Sequence, residues 1–258
     1  MILLDVININ DDELEIYHKI RDNVFDKLNS FVADSPKVVN ILLGTDLEIV
    51  SLLATQEYYD EFSNLLKDKN ISKLYLATKE QMQEIVGHKI HHNCMMHGIR
   101  PKEFNIEGLD KKILMLDAIT SSENIGSIAR SAAALGVSSY LLPSNAPHPY
   151  GRRALRVSMG HISKLKISIY DDIKDAIATL KKLGYRVYAA EITENSTVLS
   201  KVKVADKWVL LMGHEGLGLS QDILSLCDEV VSIEMADDVR SLNVAVASSL
   251  MMYQFKNK

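Results

Sequence analysis

The feature that most constrains the fold is an uninterrupted apolar run, Trp208–Met212, followed at once by a glycine-rich stretch at residues 213–218. A short apolar run bounded by turn residues is typical of a strand buried on both faces of a parallel sheet. A short helix, a second strand at residues 230–233 and an SLN tripeptide before a final helix are predicted to follow. Because binding and catalytic residues concentrate on loops held by a rigid scaffold, residues 207–249 are predicted to form the functional centre.

The order of the glycines argues against a dinucleotide site. The dinucleotide fingerprint is G-x-G-x-x-G with an acidic residue about 20 positions further on. Here Gly213, Gly216 and Gly218 give G-x-x-G-x-G, although Glu234 stands near the required distance. A carboxylate at Glu215 would repel a pyrophosphate. The stretch also lacks the Lys-Ser or Lys-Thr pair that a phosphate-binding loop carries after its glycines. The stretch therefore favours a ligand that is not anionic there, and a nucleotide-dependent oxidoreductase remains the less favoured alternative.

Composition indicates an ordinary globular protein with one large or two small domains. Cys94 and Cys227 are too few for a disulfide framework, which favours a reducing compartment. No apolar run reaches the roughly 18 residues of a membrane span, and the first residues lack the pattern of a signal peptide. We therefore expect a cytoplasmic protein with no membrane partner.

Strand and helix patterns alternate from the start, which predicts an α/β fold. In the first part, helices are predicted at residues 11–31, 46–54, 57–67 and 79–86, with strands at residues 38–43 and 73–77. Glycines near residue 105 place a domain boundary there, so the predicted domains are residues 1–105 and residues 106–258. The first carries 11 Lys+Arg against 17 Asp+Glu and the second 18 against 17, so neither has the basic footprint of a general RNA binder.

A histidine-rich segment ends the first domain, with His88, His91, His92, Cys94 and His97 close together. Imidazole and thiolate are the usual ligands of zinc. The segment lacks the paired spacing of structural zinc sites, so a polar surface loop is the preferred interpretation and no metal site is predicted.

The second domain begins with a strand at residues 113–116, a polar loop at residues 117–124, a small-residue helix at residues 125–135 and a strand at residues 137–142. That loop opens at the carboxyl end of a strand, where open α/β sheets bind ligands. Strands at residues 164–170, 185–190 and 207–212 continue the pattern. Arg152, Arg153 and Arg156 form the densest arginine patch in the chain, which suits phosphate oxygens, with a solvated helix face as the alternative.

Three ordered motifs resemble those of the SpoU/TrmH family of RNA ribose 2′-O-methyltransferases, in the SPOUT class. The first is ENIGSIAR at residues 123–130, the second GHEGLGLS at residues 213–220, and the third combines IEM at residues 233–235 with SLNV at residues 241–244. The similarity spans about residues 112–255. Three motifs in register are far more specific than any one of them.

The resemblance implies a C-terminal domain with a mainly parallel sheet and a deep trefoil knot, a homodimer formed through that domain, and S-adenosyl-L-methionine as cofactor. The smaller N-terminal α/β domain resembles the ribosomal-protein-like substrate-binding domain of several relatives. Position in the family motifs implies a cofactor site formed by Ala189, Ala190, Glu191, Met212, Gly213, Gly216, Ile233, Met235, Ser241 and Leu242.

The same motifs imply the catalytic residues. Arg130 would hold the target phosphate, while Asn124, Glu215, Ser241 and Asn243 would position Arg130, the ribose and the loops. Singly, Asn124 and Ser241 are also suited to capping helices. Structured RNA is the implied partner, with ribosomal RNA favoured over transfer RNA, and RNA contacts are expected at Arg130, Arg152, Arg153 and Arg156. A non-catalytic RNA-binding member of the same fold remains the alternative.

The chain departs from the family pattern in three places. Glu234 replaces a usual proline in the third motif, Asp237 replaces a usual glycine, and His214 stands where small polar residues are more common. These departures concern the conformation of the cofactor loops, and the proposed catalytic residues are all present.

Overall fold

The chain divides into two compact units in a computed structural model that describes residues 1–19, 28–67, 69–236, 238–239 and 241–257. One unit comprises Met1–Lys102 and Tyr150–Ser163, and the other Glu103–Pro149 and Lys164–Lys258. The predicted domain boundary near residue 105 places Tyr150–Ser163 in the other domain. This segment belongs with the first unit because it packs there, with the rings of Tyr150 and Phe31 5.5 Å apart.

Strands and helices alternate through the described residues. The strands are β1 (Ile2–Asp5), β2 (Ser30–Asp34), β3 (Ile49–Ala54), β4 (Ile71–Leu76), β5 (Cys94–Ile99), β6 (Lys112–Leu116), β7 (Ser139–Pro143), β8 (Lys166–Tyr170), β9 (Arg186–Ala190), β10 (Thr197–Val198), β11 (Trp208–Met212) and β12 (Glu229–Ser232). The helices are α1 (Glu15–His18), α2 (Pro36–Leu43), α3 (Gln56–Lys67), α4 (Lys79–Val86), α5 (Ser122–Leu135), α6 (Arg152–Val157), α7 (Ile173–Lys182), α8 (Gln221–Leu224) and α9 (Val244–Lys256).

The first unit contains a mixed sheet in the order β1-β4-β3-β5-β2. β1, β4 and β3 run parallel, whereas β5 pairs antiparallel with both β3 and β2. β2 is buried along its whole length, as expected of a strand covered on both faces.

Two element predictions for the first unit are wrong, and a third agrees with the structure only in part. Residues 38–43 are not a strand but part of α2, because Pro36 provides the fixed φ of a first helical turn and the buried apolar residues fall at helical spacing. Residues 46–54 are not a helix, since Ile49–Ala54 pairs with two strands. The helix predicted over residues 11–31 is described only at a 3₁₀ turn and α1. Residues 20–27 lie outside the described residues, and Ser30–Asp34 is a strand.

The second unit contains a parallel sheet in the order β10-β12-β9-β11-β6-β7-β8. Every described pairing in it is parallel, which agrees with the predicted mainly parallel sheet. β11 lies between β9 and β6, with Met212 opposite both Ala190 and Leu116. The carboxyl ends of these strands therefore meet at one edge, where the predicted loops begin.

Helix α5 positions the first motif at that edge. Ser121 caps its first turn by accepting from the amide of Asn124, and Gly136 ends it in the left-handed conformation at φ 79°. A glycine suits that position because it has no side chain to clash. α5 packs against the terminal helix α9, where the hydroxyl of Ser249 donates to Ser131 at 2.8 Å. The first and third motifs are thereby brought side by side.

Candidate active site

A cavity of about 560 Å³ opens where β9, β11 and β12 end. This position agrees with the rule that parallel sheets bind ligands beyond the carboxyl ends of their strands. Its volume lies within the roughly 300–1,000 Å³ that is typical of small-molecule sites. The glycine loop, defined as residues 213–219, forms one wall, and the segment from Ile233 to the first turns of α9 contributes another.

Nearly all of the predicted cofactor residues line this cavity: Ala190, Glu191, Met212, Gly213, Gly216, Ile233, Met235, Ser241 and Leu242. Ala189 does not, because side chains alternate along a strand and this one points into the core. Sequence reasoning missed Val244, Ala247 and Met251 of α9, which also line the cavity. Their spacing of three and four residues places them on one face of the helix, and that signal was available in the sequence.

Two glycines allow the glycine loop to close tightly. A Cβ on Gly213 would lie 2.8 Å from the carbonyl carbon of Gly218, so backbone approaches backbone here. Gly218 has φ +65°, and a Cβ on it would lie 2.1 Å from Oε2 of Glu191. That carboxylate accepts from the amide of Leu219 at 2.9 Å and from its neighbour Ile192 at 2.9 Å. Glu191 thus ties the end of the glycine loop to the end of β9.

A chain of hydrogen bonds joins the three motifs at the cavity. The side-chain amide of Asn124 donates to Oε1 of Glu215 at 2.7 Å, and the side-chain amide of Asn243 donates to Oδ1 of Asn124 at 3.2 Å. Asn243 also caps α9 by accepting from Ala245 at 2.9 Å. Asn124 and Ser241 are therefore not helix caps, because Ser121 caps α5 and Asn243 caps α9.

The cavity is lined by acidic side chains. Glu191 and Glu215 both line it, and its described lining residues include no lysine or arginine. A polyphosphate would find no cationic partner among them, whereas a ligand with positive charge would be favoured. This agrees with the interpretation drawn from the glycine order.

The departures from the family pattern have different consequences. Glu234 is exposed and does not line the cavity, whereas its neighbours Ile233 and Met235 do. Asp237 lies outside the described residues. His214 lines the cavity, and its Nδ1 accepts from the amides of Gly216 and Leu217.

Arg130 is exposed on α5 and does not line the cavity of its own chain. Its guanidinium makes no hydrogen bond or ion pair with the residues that the structure describes, so it can meet an anion. Asn124 and Arg130 are six positions apart on the helix, which places them on different faces at 3.6 residues per turn.

Two of the three clustered arginines bind a buried carboxylate within the first unit. Nε of Arg152 lies 2.7 Å from Oδ2 of Asp34 and Nε of Arg156 lies 2.9 Å from Oδ1, while the Asp34 side chain is fully buried. Burial opposes ionisation of Asp34, but the guanidiniums of Arg156 and Arg152 outweigh it and hold the pKa of its carboxyl below the usual range. The Arg152 and Arg156 side chains keep 22% and 35% of their surface exposed, and Arg153 is exposed. All three can therefore be reached from solvent, and their contact with RNA stays a prediction.

The histidine-rich segment does not form the predicted polar surface loop throughout. Cys94 and His97 lie on β5, three positions apart, so their side chains leave opposite faces of the sheet. Burial raises the pKa of the Cys94 thiol and lowers the pKa of His97. The described residues contain no group of three or more His, Cys, Asp or Glu that could hold a metal ion.

The fold of the second unit and its cavity define a parallel α/β domain with an acidic ligand site at the ends of its strands. Comparison with known proteins gives the family: residues 111–253 match the model of the SpoU rRNA Methylase family. The chain belongs to this family, and it is therefore an RNA methyltransferase that uses S-adenosylmethionine.

Relatives and solved structures agree with this assignment. An uncharacterized tRNA/rRNA methyltransferase of Mycobacterium bovis is 28% identical over 229 residues, which cover 86% of this chain and 79% of that protein. An rRNA methyltransferase from Sinorhizobium meliloti, solved with bound S-adenosylmethionine, shares the fold with a TM-score of 0.85 at 19% identity, over 99% of this chain and 98% of that one. A solved RNA 2′-O ribose methyltransferase shares it with a TM-score of 0.78 at 16% identity, over 98% of both chains.

Among the described residues, none of the helices has the length and apolar character that a membrane span requires.

Proposed function

We propose that this protein transfers the methyl group of S-adenosylmethionine to a ribose 2′-hydroxyl of structured RNA, with ribosomal RNA as the substrate. The observation that carries this proposal is the hydrogen-bonded chain of Glu215, Asn124 and Asn243, which gathers one residue from each motif beside the cavity. Glu215 lines the cavity, and the hydrogen bonds hold Asn124 and Asn243 beside it, where ordered polar groups can position a substrate. Ribose chemistry is also what one of the similar solved structures performs.

The cavity residues fit the cofactor. S-adenosylmethionine supplies a methyl group on a positively charged sulfur, and Glu191 and Glu215 give the cavity the opposite charge. Gly213 and Gly218 let the backbone approach closely enough to contact a flat ring. These residues bind and orient the donor, and orientation would supply most of the rate.

The remaining roles concern the sugar. Arg130 holds the target phosphate, because a guanidinium presents paired donors to phosphate oxygens. An arginine is a poor base, since its neutral form is costly at ordinary pH. A phosphate oxygen held by Arg130 therefore takes the hydroxyl proton, while Asn124, Glu215, Ser241 and Asn243 orient the ribose and the loops.

The protein acts as a homodimer through its C-terminal domain. Val246, Leu250 and Tyr253 of α9 are 48%, 45% and 60% exposed and recur at helical spacing, so one apolar stripe faces outward. A second copy of the chain covers such a stripe in the proposed dimer. In that dimer Arg130 of one protomer serves the cavity of the other, which accounts for its position away from its own cavity.

The finer features of the resemblance belong to the same proposal. The C-terminal segment is knotted, as the resemblance to the family implies. The first unit binds RNA like the ribosomal-protein-like domains of relatives, with Arg152, Arg153 and Arg156 as its contacts. The free thiols of Cys94 and Cys227 fit a cytoplasmic location.

Mass spectrometry of RNA from a deletion strain tests the proposal. We expect one 2′-O-methyl nucleoside to be lost from ribosomal RNA and restored by the gene. Loss from transfer RNA would keep the chemistry and change the substrate. Unchanged 2′-O-methylation in both would favour the alternative, a non-catalytic RNA-binding member of the family.

A further inference from the structure

His214 accepts hydrogen bonds from two amides of the loop that follows it. Its Nδ1 lies 2.9 Å from the amide nitrogen of Gly216 and 3.2 Å from that of Leu217. The carbonyl of His214 accepts from Gly218 at 2.9 Å. Together with the bond from Leu219 to Glu191, these contacts satisfy the amides of residues 216–219 before any ligand enters.

Both amides point at the same nitrogen, so that nitrogen must carry a lone pair. The imidazole is therefore neutral, with its proton on Nε2, an assignment that follows from the hydrogen-bond network. An imidazolium would direct an N–H at two other N–H groups and lose both contacts. Asp117, in the segment after β6, interacts electrostatically with the ring.

We propose that His214 is a positioning residue for the cofactor: its neutral imidazole holds the glycine loop in the conformation that forms the cavity wall. His214 stands where the family more often has a small polar residue. The side-chain oxygen of an asparagine at this position could accept from the same backbone amide, two residues further on. A loop that samples other conformations reduces apparent affinity in proportion to the time it is open. This inference rests on the proposed location of the cofactor in the cavity.

Two matched variants test the role. His214→Asn keeps an acceptor without the ring, and His214→Phe keeps a ring without an acceptor. For His214→Phe we expect S-adenosylmethionine to bind roughly tenfold more weakly at pH 8, about the factor given by 1.4 kcal/mol. His214→Asn should bind S-adenosylmethionine like the wild type at the same pH.

Amide exchange of Gly216 and Leu217, measured by NMR without cofactor, provides the second readout. Exchange should be faster in His214→Phe and near the wild-type rate in His214→Asn. Equal exchange and equal affinity in His214→Phe and the wild type would overturn the inference, as would equal losses in both variants. Because exchange is measured without cofactor, a protein that did not bind S-adenosylmethionine would count against the cavity as cofactor site and not against this role.

Discussion

Replacing Gly218 by alanine tests whether Glu191 holds the glycine loop. The new Cβ would lie 2.1 Å from Oε2 of Glu191, so the carboxylate must leave the amide of Leu219. A left-handed φ costs alanine about 1 kcal/mol. A lost hydrogen bond to a charged group costs about 1.5–3 kcal/mol, and the lower value applies because Glu191 is only half-buried. The total is about 2.5 kcal/mol, of which about 1.5 kcal/mol acts on the glycine loop.

Calorimetric titration with S-adenosylmethionine measures that part, and we expect roughly tenfold weaker binding. Gly184→Ala is the matched control, since Gly184 has φ +83° and a Cβ there meets nothing within 4 Å. It should lower the free energy of unfolding by about 1 kcal/mol and leave affinity unchanged. A second comparison repeats Gly218→Ala in a Glu191→Ala background, where the clash is gone. The same loss of affinity in both backgrounds, or in both glycine variants, would refute the reasoning.

Further predictions concern the other motifs and the first unit. Arg130→Ala should abolish methylation and leave S-adenosylmethionine binding nearly intact in calorimetry; retained activity would remove Arg130 from the mechanism. Asn124→Asp should reduce turnover more than Asn124→Ala in a methylation assay, because its carboxylate faces that of Glu215; the reverse order would contradict the hydrogen-bonded chain. Asp34→Ala should lower the free energy of unfolding at pH 7 by about 3 kcal/mol, the lower limit for breaking a buried pair, since both arginines reach solvent. The folded-state pKa of Asp34 is depressed, so its contribution to stability is present above the unfolded value of about 3.9 and is lost as the pH falls through the lower folded value; urea titrations showing no pH-dependent difference from wild type would refute this. Leu250→Asp should convert the proposed dimer to a monomer in sedimentation, and a wild-type monomer would contradict the dimer.

The second unit could be predicted largely from its sequence. Its parallel strands read as apolar runs, and helix α5 has a serine cap, small buried residues and a terminal glycine. Most of the predicted cofactor residues line the cavity, and their positions were implied by the family motifs. The hydrogen bonds among Asn124, Glu215 and Asn243 could not be derived, because they depend on the tertiary packing of α5 against α9.

The first unit was harder for a physical reason. Short apolar runs such as residues 38–43 fit a buried helix and a buried strand equally well until their partners are known. The partners of charged side chains are equally hard to predict from the sequence, as Asp34 shows. The sequence presents Arg152 and Arg156 as an exposed basic patch, and only the fold brings a buried carboxylate from a distant segment to meet them.

Transfer of a labelled methyl group tests the central claim most directly. The protein is incubated with S-adenosylmethionine carrying the label and with ribosomal RNA from the deletion strain, and the RNA is then digested to nucleosides. The proposed function predicts label in one 2′-O-methyl nucleoside, at a single site, with none after Arg130→Ala. Label on a base, or no label in ribosomal or transfer RNA, would contradict it.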